Sequence, residues 1–257
     1  MKTFLNILKQ FFIKKRSRVL IKKIYRRFSL ISKKNKKSNK WLTENEINLD
    51  DFLKKIDLNL WNESKVFENK IKKYSLEELK KINVKLGGGA CTKLIYFLVR
   101  FLKPKITIET GVASGISSLT ILKALEINKM GKLFSSDFPY FRLKNPEEYI
   151  GVLVDKLKYP KWRLEIEGDI LNLKKFVNEI DKEDGIDFFH YDSDKTYAGK
   201  KKSFDILKKL FKPESILIFD DIQDDNFFYD LTSKLNANYR VFKVGNKHVG
   251  LIGNFFK

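Results

Sequence analysis

Apolar and polar positions alternate over Ile106-Thr107-Ile108-Glu109, then give way to a loop with glycines at 111 and 115 and an apolar run from Ile116. A period of two followed by continuous apolar content predicts a strand, a turn and a helix. The same pattern predicts strands at 106–109, 131–136, 162–167, 186–191 and 215–219, with helical segments between them. The helical segments between the last three pairs fall near 172–180 and 198–210. Strands separated by helical segments imply a parallel sheet with right-handed crossovers. The alternation ends in YRVFKVGNKHVGLIGNF, two strands around Gly245-Asn246-Lys247, which predicts a terminal antiparallel hairpin. The expected architecture is α/β: a doubly wound, mostly parallel seven-stranded sheet with a C-terminal antiparallel hairpin, plus N-terminal helices.

Upstream of the sheet the period changes. Residues 41–100 read as helical, with capping-box signatures at Thr43…Glu46 and Ser75…Glu78. Residues 1–40 form a basic amphipathic arm. Phe4, Ile7, Leu8, Phe11 and Phe12 recur at the spacing of one helix face, and Leu20, Ile21, Ile24, Tyr25 and Phe28 repeat it. The stretch SKKNKKSNK, 32–40, reads as a solvated linker. Three units are therefore expected: the arm at 1–40, a helical cap at 41–100 and the sheet domain at 101–257.

Charge sharpens this division. The chain of 257 residues carries a formal net charge of +20. Fifteen of its 52 Lys and Arg lie in residues 1–40, and all 32 Asp and Glu lie beyond them, so residues 41–257 carry only +5. The basicity belongs to the arm, which weakens a nucleic-acid reading of the domain. The arm's apolar runs are too short to span a bilayer, which needs about 20 consecutive apolar residues. They also lack the cleavage site of a secretory signal. Three readings of the arm stay open, in descending order: a helix on an anionic membrane surface, a helix packed on the domain or another subunit, and a nucleic-acid tail. Cys91 is the single cysteine, so no internal disulfide can form, and with only His190 and His248 an ordinary Cys/His zinc site is excluded.

The candidate chemistry lies at the strand ends. Glu109 ends the first predicted strand, Asp137 the second, Asp192 the fourth and Asp220-Asp221 the fifth, while Asp169 follows the third. In a doubly wound sheet, ligands bind at the carboxyl ends of the strands near the switch point. Carboxylates gathered on one rim repel each other, and a cationic or hydroxyl-rich ligand relieves that repulsion. Taken singly each signal has a plain alternative: Gly111 and Gly115 as a tight turn, a strand-end Asp as a helix cap. Asp137 is sharper, because an acid 22 residues beyond Gly115 can accept hydrogen bonds from both ribose hydroxyls.

In this order, Glu109-Thr-Gly111-Val-Ala-Ser-Gly115-Ile-Ser117 resembles the first motif of class I S-adenosylmethionine-dependent methyltransferases, in the E-x-G-x-x-x-G-x-S form of small-molecule O-methyltransferases. SSD ending at Asp137, EGD at Asp169 and DFFHYDSDKTY resemble the later motifs, and the terminal hairpin is that Rossmann-like fold's hallmark. The resemblance covers about residues 86–257. It implies that Glu109, Gly111, Gly115, Ser117, Asp137, Asp169 and Asp192 bind S-adenosyl-L-methionine. In that reading the glycines lie beside the methionine part, Ser117 near its carboxylate, Asp137 on the ribose and Asp169 or its neighbours on the adenine. A dinucleotide dehydrogenase would want G-x-G-x-x-G, and the spacing here argues against it.

The segment HYDSDKTY followed by DDI resembles a bacterial branch of glycan and natural-product pathways, but Lys195 stands where that branch has His. That departure resembles the cation-dependent catechol and caffeoyl-type enzymes. It implies Lys195 and Asp192 as catalytic residues, and Asp192, Asp220 and Asp221 as ligands of Mg²⁺ or another divalent cation; the alternative left open is that Asp220 and Asp221 cap the following helix, Lys195 pairs with them as an ion pair, and no metal binds. The expectation is methyl transfer to a hydroxyl of a small molecule or glycan. It would take place in the cytoplasm, with a peripheral position at the inner face of a membrane through residues 1–40. A membrane-tethered binding protein with this fold but no catalysis is the alternative from another class. An RNA methyltransferase is a third reading, disfavoured by the modest charge of the domain.

Overall fold

In the computed structural model, the described residues are 2–12, 17, 21, 36–82, 84–87, 89, 91–155 and 157–255. The helices are α1 (Lys2–Phe11), α2 (Lys36–Asn45), α3 (Leu49–Ile56), α4 (Leu58–Lys81), α5 (Thr92–Leu102), α6 (Ile116–Asn128), α7 (Asp169–Glu179), α8 (Tyr197–Leu207) and α9 (Phe227–Leu235). The strands are β1 (Glu46–Ile47), β2 (Ile106–Thr110), β3 (Lys132–Ser136), β4 (Trp162–Glu165), β5 (Ile186–Tyr191), β6 (Phe211–Phe219), β7 (Tyr239–Val244) and β8 (Lys247–Ile252). They form one sheet in the order β1-β7-β8-β6-β5-β2-β3-β4. All neighbours are parallel except β8, which runs antiparallel to both β6 and β7.

The expected seven strands are present, and an eighth, β1, pairs with the outer edge of β7 through Glu46↔Val241 and Ile47↔Phe242. It falls inside the segment read as wholly helical; two residues are too short to show a period. Neither predicted capping box starts a helix. Thr43 lies inside α2, and Ser75 lies inside α4, its hydroxyl donating back to the Lys72 carbonyl at 3.1 Å. The caps are Asn48, which accepts from the Asp51 amide at 3.0 Å, and Asp57, which accepts from Leu60 at 2.8 Å. The predicted linker at 32–40 is corrected where it is described, because α2 starts at Lys36 and runs unbroken across position 40. At the terminal hairpin Val244 pairs with Lys247, so the turn is Gly245-Asn246 and Lys247 already belongs to a strand.

Each side chain alternates between two packed layers. Ile108, Phe134, Phe189, Leu217 and Phe219 face α7, α8 and α9. Leu133, Phe188, Ile216 and Ile218 face α4, α5 and α6. Strands buried on both faces read as near-continuous apolar runs, which is why their sequence signal is strong. From β2 the chain moves outward to β3 and β4, then returns to the other side of β2 as β5. The β2–β5 boundary is therefore the topological switch point, where a crevice opens between the strand ends.

Ile7 on α1 packs against Phe138 and Phe141 in a small cluster apart from the two main cores. The predicted first apolar face is thus divided: Ile7 is partly buried, while Leu8, Phe11 and Phe12 are exposed. The second face, Leu20 to Phe28, lies outside the described residues apart from Ile21, which is exposed. No described helix is long and apolar enough to cross a membrane.

Candidate active site

The loop after β2 crosses the switch point. Gly111 (φ +89°) lies against the end of β5, and a β-carbon there would overlap the Asp192 carbonyl. Gly115 (φ +98°) meets Gly151, whose Cα would lie 2.9 Å from an added β-carbon. Glycine is needed at both positions for conformation and close approach. Gly115 also starts α6, and no side chain caps that helix. The hydroxyls of Thr110, the last residue of β2, and of Ser114 in the loop are buried without a hydrogen-bond partner. Ser117 is buried in the first turn of α6.

Asp137 bridges from β3 to this loop. Its Oδ2 accepts from the Ala113 amide at 2.5 Å and its Oδ1 from the Phe138 amide at 2.6 Å. Asp169, at the start of α7, ties the neighbouring strand ends: Ser136 donates to Oδ1 at 2.7 Å and Ser193 to Oδ2 at 2.6 Å. Beneath it Asn172 is fully buried, its amide donating to Ser136 Oγ and to the Glu165 and Asp137 carbonyls. Asn172 escaped the sequence reading because a lone Asn within a helical pattern carries no signal.

Glu109 is not on the open rim. Register places it opposite Ser135 on β3 and His190 on β5, and cross-strand partners share a face. Its fully buried Oε2 accepts from Ser118 at 2.5 Å and Ser135 at 2.8 Å. Its Oε1 lies 3.8 Å from His190 Nδ1, and His190 Nε2 lies 3.8 Å from Asp220 Oδ1. Those four atoms are buried with no hydrogen-bond partner. Burial opposes charge on the imidazole, but Asp220 and Glu109 outweigh it and hold His190 up to about 10. His190 thus sits between two acidic side chains that favour its protonated form.

The predicted metal ligands are not gathered. Among the described residues no group of three His, Cys, Asp or Glu side chains is arranged to hold a metal ion. Asp220 faces inward to His190. Asp221, in the left-handed region at φ +53°, turns to Lys195 instead, with 2.5 Å from Nζ to Oδ2, and Lys247 of the hairpin lies 3.4 Å from its Oδ1. Burial would raise Asp221, but the Lys195 hydrogen bond and the charges of Lys195 and Lys247 hold it below the usual carboxylate range. Conversely, burial would lower Lys195, and Asp221 holds it above its usual value. The expected Asp192–Asp220–Asp221 cation site does not fit this arrangement, since two of its three carboxylates already face cations of the chain itself.

Asp192 is the third of the predicted ligands. It is half-buried at the switch point, its amide donating to the Thr110 carbonyl at 2.9 Å. Burial and then the nearby charge of Asp220 push its carboxyl up to about 7. Residues 108–222 match the family model described as a methyltransferase domain. That match runs from β2 to just past β6 and so includes the glycine loop. A search of curated proteins finds no significant relative. Among solved structures, the chain is similar to a candidate caffeoyl-CoA O-methyltransferase from Staphylococcus aureus (17% identity, TM-score 0.56, covering 77% of this chain and 100% of that one). It is similar also to an O-methyltransferase from Bacillus cereus in complex with SAH (13%, 0.54, 80% and 97%). A third is TomG from Streptomyces achromogenes, an O-methyltransferase involved in tomaymycin synthesis, in complex with SAM (15%, 0.54, 72% and 89%). At these identities the likeness is one of fold.

Proposed function

We propose that the protein is an S-adenosylmethionine-dependent O-methyltransferase acting on a hydroxyl of a small molecule or glycan, brought to an anionic membrane surface by residues 1–40. The observation that carries the methyl-transfer reading is the pairing, at one switch point, of an uncapped helix N-terminus with two carboxylates. The α6 terminus and the unpartnered Ser114 hydroxyl suit an amino-acid carboxylate, which favours the positive end of a helix. Asp137, fixed over the glycine loop, suits ribose hydroxyls, and Asp192 suits positive charge. When bound, S-adenosylmethionine supplies an electrophilic methyl group on a cationic sulfur.

The chain's own residues then have an acceptor to position and a proton to remove. Asp192 is the better base: a carboxyl held up to about 7 takes a hydroxyl proton near neutral pH. Lys195, protonated and paired with Asp221, positions rather than deprotonates. Asp192 would take the proton that the acceptor oxygen loses, and the donor's sulfur would keep the electron pair of its broken carbon bond and leave as a neutral thioether.

The test is calorimetric titration of the full chain with S-adenosylmethionine and S-adenosylhomocysteine, then methyl-labelled turnover on glycan and small-molecule extracts read by mass spectrometry. Binding with label in base-stable methyl ethers is expected. Absence of binding by the folded protein overturns the reading in favour of a non-catalytic role, and label in base-labile esters or in RNA overturns the acceptor class.

A further inference from the structure

We infer that α1 couples membrane contact to the methyl-donor site, so that docking on an anionic bilayer tightens donor binding; this rests on the methyltransferase reading above. The helix has two working sides. Inward, Ile7 packs on Phe138 and Phe141, whose rings meet edge to face at 4.5 Å, and Asn6 Nδ2 donates to the Arg142 carbonyl at 3.2 Å. Phe138 is the residue whose amide binds the Asp137 carboxylate, and the other oxygen of that carboxylate holds Ala113 in the glycine loop. One helix residue is therefore two contacts away from the proposed ribose acid.

Outward, Leu5, Leu8, Phe11 and Phe12 are 49%, 39%, 41% and 82% exposed. At 100° per residue Leu5, Leu8 and Phe12 fall within one narrow stripe, on the side away from Ile7. Four large apolar side chains on a ten-residue helix and the residue after it make a patch that needs a partner. Charge identifies that partner. The first 40 residues hold fifteen Lys and Arg and no acid, which suits the negative surface of an anionic bilayer, while the apolar stripe suits its acyl boundary. A bilayer that holds the outer stripe restrains the helix, and through Ile7 it restrains the Phe138–Phe141 loop that fixes Asp137. A ligand that orders a loop lowers the ordering cost for the next ligand, which is positive coupling.

The experiment uses the full chain with vesicles of phosphatidylcholine alone or mixed with phosphatidylglycerol, reading co-sedimentation and S-adenosylmethionine affinity by calorimetry. Sedimentation with the anionic vesicles alone is expected, with donor affinity rising about fivefold or more in their presence. The triple variant Leu5→Glu, Leu8→Glu, Phe12→Glu should lose sedimentation yet keep the donor affinity of the lipid-free protein. Ile7→Ala should sediment like the parent but lose the lipid-induced tightening. Equal binding to neutral vesicles, loss of the stripe's effect, or unchanged donor affinity on anionic vesicles overturns the inference. Concentration-dependent self-association that the triple variant abolishes, without vesicle binding, assigns the stripe to a second copy and overturns it as well. Vesicle binding with no donor affinity under any condition overturns the coupling through failure of the methyltransferase reading itself, leaving the membrane contact standing.

Discussion

Gly111 and Asp192 meet across the switch point with no room for a side chain between them: a β-carbon on Gly111 would overlap the Asp192 carbonyl. The glycine therefore does two things at once. It turns the loop at φ +89°, and it lets β2 and β5 close to form the floor of the crevice. Gly111→Ala should cost about 3 kcal/mol or more, from a disfavoured backbone region together with overpacking against main chain. Urea unfolding of parent and variant measures it. A loss below about 1 kcal/mol would mean that the loop relaxes freely and that the close approach has no structural role.

Asp192 gives a pH signature that separates the charged donor from its neutral product. Its carboxyl is held up to about 7 in the free protein, so it is partly protonated at neutral pH. A bound sulfonium favours the carboxylate and expels that proton. Affinity for S-adenosylmethionine should rise as pH increases toward about 7 and level off above it, by at most tenfold per unit for one proton. S-adenosylhomocysteine, lacking the positive sulfur, should show a flatter profile, and Asp192→Asn should flatten both. Parallel slopes for the two ligands would place the sulfonium away from Asp192.

How much of this was readable beforehand follows from the physics of each element. β2, β3, β5 and β6 are apolar on both faces or alternate strictly, and both signals survive without tertiary knowledge. The glycine loop and the strand-end acids were legible as a set. Their orientations were not. Glu109 belongs to the strand's Thr107 side, so it points under α6 rather than into the crevice, and only the register with His190 and Ser135 shows what it meets. Asp220 and Asp221 are adjacent in sequence yet turn to different cations, because Asp221 takes a left-handed backbone. Lys247, which completes that pairing, comes from a hairpin that no local pattern connects to the acid.

The Glu109–His190–Asp220 arrangement predicts an alkaline loss of stability. The folded state holds His190 up to about 10, above the ordinary histidine value of roughly 6.5. A group with a raised folded pKa contributes in full below its unfolded value, and the contribution is lost as pH climbs to the folded one. Stability should therefore fall between about pH 6.5 and pH 10 in the parent. His190→Gln leaves two buried carboxylates without their cation and should lose about 3–5 kcal/mol at pH 6, with that alkaline slope gone. Denaturant titrations at pH 6, 8 and 10 test both points, and an unchanged slope in the variant would remove His190 as the titrating group.

Lys195 and Asp221 decide between a cation-assisted and a protein-only reaction. A divalent ion bound by oxygen ligands would need the Asp221 carboxylate, yet that carboxylate already faces Lys195 at 2.5 Å and Lys247 at 3.4 Å. Asp220, the second proposed ligand, is turned toward the His190 cation. An incoming metal would have to displace one lysine and draw Asp220 out of the sheet, exposing His190 and Glu109 to unbalanced charge. We therefore expect methyl transfer to persist in EDTA and added Mg²⁺ or Mn²⁺ to change it little. Lys195→Ala should cost at most about 1 kcal/mol of stability, because the lysine is half exposed and Lys247 remains to pair with Asp221. Its effect on turnover should appear in KM more than in kcat, as for a residue that positions an acceptor, whereas Asp192→Asn should lower kcat by about a hundredfold or more as the base is removed. If EDTA abolishes turnover and Mg²⁺ restores it, the ion pair opens in the working enzyme and Asp221 is a ligand after all. If Lys195→Ala matches the Asp192→Asn loss in kcat with donor binding intact, the lysine shares the chemistry.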